Sequence, residues 1–119
     1  MGIYSCLGTS LEEVTESLRQ GKSGIVFDEE RKEFGFKSAL TGTVPAPDLK
    51  PFLSRRQRIT IGQETEFAYM ATLEALKNAG LTEEYIKTNE VGIIYGNDSV
   101  SKAVIDATDI VREKKDTGL

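Results

Sequence analysis

Residues 54–81 read SRRQRITIGQETEFAYMATLEALKNAGL, and after a short polar connection residues 91–101 read VGIIYGNDSVS. The first stretch predicts one long helix, with Ser54 as its cap, no proline inside it, and Gly80 where a left-handed residue would close it. Ala68, Ala71, Thr72, Ala75, Leu76 and Ala79 recur at spacings of three and four, and most are small enough for another element to approach closely. Tyr69, Leu73 and Leu76 add an adjoining apolar strip, while Gln63, Glu66, Glu74, Lys77 and Asn78 form the polar side. The expectation is a helix buried over more than half its circumference. Residues 91–95 are an unbroken β-forming run with glycines near both ends, which predicts a strand covered on both faces in a parallel sheet. Such a strand needs parallel neighbours, and the remaining residues supply few.

Composition narrows the function. The 119 residues allow one domain at most, and 39% apolar with 29% charged residues describe an ordinary globular chain. A net charge of -4 argues against general nucleic-acid binding, which needs a basic surface. One cysteine rules out an internal disulfide and fits a reducing compartment. No apolar run has membrane-spanning length and no signal-peptide core is present, so a cytoplasmic protein with no membrane partner is expected. The absence of histidine removes the commonest general base, the commonest metal ligand and every Ser-His or Cys-His pair. Catalysis by these residues alone would have to rest on carboxylates, lysines or the single thiol, and no metal site or cofactor is expected.

Outward from the central stretch, residues 1–8 open as a loop. Thr9 or Ser10 caps a helix, with capping-box spacing to Glu12 or Glu13, whose apolar side is Leu11, Val14, Thr15 and Leu18 and whose end is Gly21. Cys6, just before that helix, reads as a small buried or half-buried residue without a partner base. Residues 24–27 form a short extended piece, 28–33 a charge-rich turn or single helical turn, and 36–44 a second extended piece ending at Pro45 and Pro47. Past the polar turn at 97–101, Ser99 or Ser101 caps a last helix to about Lys115, with Ala103, Val104, Ala107, Ile110 and Val111 on its apolar side.

The ordered set GIYSCLGTSLEEVTESLRQGKSGI at 2–25, RRQRITIGQETEFAYMATLEALKNAGL at 55–81 and VGIIYG at 91–96 resembles the start of a β-ketoacyl-acyl carrier protein synthase. The resemblance lies in a G-x-x-S-x-x-G loop with its helix and a GxSGI ending, a long helix closing in AGL, and a VGxIxG strand. It implies a partial thiolase-like α/β fold, the N-terminal part of a layered αβαβα sandwich with the first strand and the catalytic part missing. On that reading, 1–119 is a fragment of a ketoacyl synthase N-terminal domain. The parent activity implied is decarboxylative condensation of malonyl-carrier with an acyl group, by a homodimeric acyltransferase of fatty-acid biosynthesis. Its catalytic cysteine and two histidines match no residue here, Cys6 included. The rival reading is a small non-catalytic module that binds a carrier protein or dimerises.

Two sites are expected. Arg55, Arg56 and Arg58 gather at a helix start, where cations oppose the dipole and an anionic partner would favour them. Arg55 and Arg56 match positions at which the family contacts its acidic acyl carrier protein; Arg58 is adjacent. Asn97, Asp98 and Ser99 stand where the resemblance implies a loop of the acyl pocket near the dimer contact. They equally read as a turn and helix cap.

Overall fold

A computed structural model describes residues 1–97 and 102–115. The order is α1 (Leu11–Arg19), β1 (Ile25–Phe27), α2 (Glu29–Glu33), β2 (Leu40–Gly42), α3 (Arg55–Arg58), α4 (Gln63–Ala79), α5 (Glu83–Thr88) and α6 (Lys102–Lys114). The chain divides into two compact units, one of Met1–Pro45 with Met70–Thr82 and one of Ala46–Tyr69 with Glu83–Leu119. The described residues mix helix with one small two-stranded sheet, and no helix among them is long and apolar enough to cross a membrane.

In the first unit, Ser10 caps α1 by accepting from the Glu13 N–H, as its spacing predicts. The Glu13 carboxylate reaches back one residue further than a capping box requires, accepting from both the N–H and the hydroxyl of Thr9. Of the expected apolar side only Val14 is buried, and Leu18 is exposed. Asp28 caps α2, so the charge-rich segment is a single helical turn. β1 and β2 pair antiparallel, with Ile25 opposite Gly42, Val26 opposite Thr41 and Phe27 opposite Leu40, and α2 forms their connection. Over α2, the Arg31 guanidinium stacks 4.5 Å from the Phe36 ring centre and the Lys32 ammonium lies 5.6 Å from that of Phe27.

The helices α1, α2 and α4 end alike. The residue after each cap is a glycine at positive φ, namely Gly21, Gly35 and Gly80. Its N–H and the next one turn back to the last helical carbonyls, as from Gly80 to Lys77 and from Leu81 to Leu76. Glycine adopts that backbone without the clash a Cβ would cause.

Three expectations from the central stretch are corrected. The helix expected over 54–80 is two helices. Ser54 and Gln57 form a reciprocal capping box for α3, but α3 stops after Arg58. Ile59, Thr60 and Ile61 are β-branched, Gly62 follows, and the Thr60 hydroxyl takes the Gln57 carbonyl, so the backbone there has poor helix propensity and a competing bond. α4 then starts afresh, the Glu66 N–H bonding to the Gly62 carbonyl.

The second correction concerns burial. No residue of α4 is fully buried, although every one from Glu66 to Leu76 is half-buried. What approaches the small-residue face is the backbone of the N-terminal segment: a Cβ built on Gly2 would lie 1.9 Å from the Ala71 carbonyl oxygen and 2.6 Å from the Ala75 nitrogen.

Third, 91–97 has no regular secondary structure, and the only sheet among the described residues is the antiparallel pair β1–β2. A strand exists through its ladder, and no described segment forms one with 91–95. Its apolar side chains are consequently open, Ile94 being 98% exposed. The connection before it is also more ordered than expected, since 83–88 forms α5 with a Glu83–Lys87 ion pair of 2.6 Å.

In the second unit, Leu49 is buried and its carbonyl accepts from the N–H groups of Phe52 and Leu53, closing the turn before α3. The Phe52 and Tyr69 rings meet at a tilted 6.2 Å. The last helix runs as expected to Lys114, but Val104 and Val111 on its apolar side are exposed. Its expected caps, Ser99 and Ser101, lie outside the described residues.

Candidate functional site

The three arginines of α3 separate into two kinds. Arg58 is half-buried, and its Nε donates to the Leu53 carbonyl at 3.2 Å, which ties the helical turn to the chain before it. Arg55 and Arg56 are exposed, and neither guanidinium has a hydrogen bond, ion pair or ring contact among the described residues. Two unpartnered guanidinium groups one residue apart offer planar donors for anionic oxygens. No long helix dipole opposes them, because α3 is a single turn separate from α4. What sets them apart from Arg58 is exposure without a hydrogen bond or ion pair among the described residues.

Of the second expected group, Asn97 is described and Asp98 and Ser99 lie outside the described residues. Asn97 borders a cleft of about 300 Å³ with Tyr95, Gly96, Glu64, Thr65, Ala68 and Tyr69. The first turns of α4 supply one wall and the 95–97 segment the other. Two tyrosine rings and an alanine make the lining mostly apolar, of a character suited to a hydrocarbon group.

Sequence reasoning missed Glu74, which it placed on a polar helix face. Its Oε2 accepts from the Ile3 N–H at 2.9 Å and its Oε1 from the Leu11 N–H at 2.7 Å. Leu11 is the first residue of α1, so its N–H lacks a helical partner and the carboxylate satisfies it. The bonds from Leu11 and Ile3, helped by Lys77 and the Met1 ammonium, hold the Glu74 carboxyl below the ordinary glutamate range. Asn78, one turn on, donates to the Met1 carbonyl at 2.7 Å. Both partners are more than sixty residues away in sequence, so no local pattern announces them.

Cys6 is half-buried against the hairpin. A Cβ on Gly24 would lie 2.6 Å from its sulfur, and one on Gly42 3.0 Å. The thiol fills the space those two glycines leave.

The profile of the family described as "Beta-ketoacyl synthase, N-terminal domain" matches residues 1–117. The chain is 34% identical over 98 residues to "3-oxoacyl-[acyl-carrier-protein] synthase 1" of Escherichia coli strain K12, covering 82% of this chain and 24% of that protein. It is 35% identical over 97 residues to the protein of the same description from Haemophilus influenzae, covering 80% and 23%. With that of Buchnera aphidicola subsp. Schizaphis graminum the identity is 33% over 116 residues, covering 96% and 28%. The chain belongs to the β-ketoacyl synthase N-terminal domain family. It spans about a quarter of the length of these curated relatives.

Proposed function

We propose that this chain is the N-terminal part of a β-ketoacyl-acyl carrier protein synthase, an acyltransferase that condenses malonyl-carrier with an acyl group in fatty-acid biosynthesis. The observation that carries the reading is the family match across 1–117, supported by relatives whose names state that activity. The complete enzyme is cytoplasmic and homodimeric, with this chain in one half of a layered thiolase-like fold. Its nucleophilic cysteine and two histidines lie in the part of the protein outside these residues, since nothing here matches them.

Within that enzyme Arg55 and Arg56 dock the acidic acyl carrier protein, with Arg58 setting the helical turn that presents them. Their exposure and freedom from internal partners support this role. The segment from Asn97 through Asp98 and Ser99 borders the acyl chain, a reading supported by the apolar cleft that Asn97 lines.

The test compares two substrates in the full-length enzyme. Charge pairs at an interface rim act mainly on encounter rate, so the double reversal Arg55→Glu with Arg56→Glu should weaken use of carrier-linked substrate about tenfold or more and flatten its salt dependence. Turnover of a small carrier-free thioester should barely change. Equal loss on both substrates would sink the docking role, and absence of any condensation by the unaltered full-length protein would sink the enzymatic one.

A further inference from the structure

We propose that Glu74 is a proton-operated latch for residues 2–11, tightening that segment on α4 while its carboxylate is ionised and loosening it when protonated.

The geometry is that of a clasp. Each carboxylate oxygen accepts a different N–H of the segment, Oε2 from Ile3 and Oε1 from Leu11, so the two bonds grip both ends of the loop that joins them. An ionised carboxylate is acceptor-only and suits two facing N–H groups; a protonated one must point an O–H at one of them. The donor-donor conflict then removes one grip. Close approach makes this felt, because Gly2 sits against the Ala71 and Ala75 backbone with no room for a side chain and no apolar side chain of its own to hold it there. Inside the loop the ties do not depend on Glu74: Ser5 and Gly8 exchange backbone bonds, and the Ser17 hydroxyl donates to the Leu7 carbonyl at 2.7 Å. Protonation therefore loosens the segment's hold on α4, with the loop itself still formed and Asn78 still bonded to the Met1 carbonyl.

The charges around the latch come from each neighbouring element. α1 contributes Glu12, Glu13, Glu16 and Arg19, Lys22 follows it, and Lys77 stands on α4 itself, all around the groove that Glu74 also lines. The segment adds the Met1 ammonium and the Tyr4 phenol. Glu13 is committed to Thr9. Lys77 and the Met1 ammonium favour the ionised carboxylate. Since Glu74 titrates below the ordinary range, the latch is closed above about pH 4.5 and opens as pH falls through its lowered value.

Hydrogen exchange of the full-length protein, read on peptides from residues 1–11 and corrected for intrinsic rate, tests this. E74Q, which keeps the shape and removes the charge, should raise exchange of this segment about tenfold at pH 7 and abolish its acid-induced opening, leaving β1–β2 unchanged. Should E74Q fail to fold, the unaltered protein still decides: its 1–11 segment must open at a higher pH than β1–β2. Unchanged protection in E74Q, or joint opening of the segment and the hairpin on acidification, overturns the latch. The readout is exchange and not turnover, so the outcome is independent of the carrier-docking assignment.

Discussion

Arg58 and its two neighbours share a helical turn and a charge, yet the structure gives them different work. Arg58→Ala loses the bond to the Leu53 carbonyl and part of a half-buried stem, and should cost about 1 kcal/mol of stability. Arg55→Ala and Arg56→Ala remove exposed groups with no hydrogen bond or ion pair among the described residues, and each should change stability by less than about 0.5 kcal/mol. Denaturant midpoints of the full-length variants check both; a larger loss at Arg55 than at Arg58 would contradict the division. Close packing gives a second prediction. Gly24→Ala would drive its Cβ to 2.7 Å from the Cys6 carbonyl oxygen as well as onto the sulfur, and backbone cannot swing aside as a side-chain tip can. It should destabilise by about 1–3 kcal/mol, and Cys6→Ala should relieve only part of that, because the backbone clash remains. Full rescue would show the sulfur alone to be the obstacle.

Helix termini decide where the elements stop. Ser54→Ala breaks a reciprocal box on a helix with a single turn to lose, and should cost about 1 kcal/mol. Gly80 closes α4 at φ +68, with open space around the position of a Cβ. Gly80→Ala therefore tests backbone conformation without a packing change, and a loss of about 1 kcal/mol in thermal or denaturant unfolding is expected. No loss would mean that α4 is closed by something other than the left-handed glycine. The break between α3 and α4 shows the opposite case, in which β-branched residues and Gly62 end a helix that carries no stop signal as strong as Gly80 or a proline.

Residues 1–119 as an isolated polypeptide leave much apolar surface in water. Ile93 and Ile94 are exposed, as are Phe34, Phe36 and Leu40, and the only buried apolar residues among those described are Val14 and Leu49. Unpaired β-forming backbone beside such side chains templates association. Expressed alone, the chain should elute larger than a monomer and bind a hydrophobic dye; a monodisperse monomer with cooperative unfolding would favour the small-module reading instead. Acid should weaken it as well. The Glu74, Glu13 and Glu83 carboxyls all sit below the ordinary range, through bonds from Leu11, Thr9 and Lys87 respectively, so their contributions are complete above about pH 4.5 and fade as pH falls through the lowered values.

The features legible in the one-dimensional chain are those set by bonds within a few residues. Ser10, Ser54, Gly21 and Gly80 mark helix ends because cap and closing motif each span one turn, and 24–27 and 36–44 read as extended pieces on either side of a charged turn, although nothing in them states that they pair. The family was legible too, because the order and spacing of the loop, helix and strand motifs are properties of the chain itself. Where residues distant in sequence meet, the pattern fails. The small face of α4 anticipated a close approach, but not that Gly2 would make it. Glu74 stood on the polar side of its helix because nothing beside it points to Ile3 or Leu11, and the tie of Arg58 to the Leu53 carbonyl shows only in the folded chain. Residues 91–95 have every local mark of a strand and yet form no β-ladder among the described residues, because propensity belongs to a segment whereas a ladder needs a second strand.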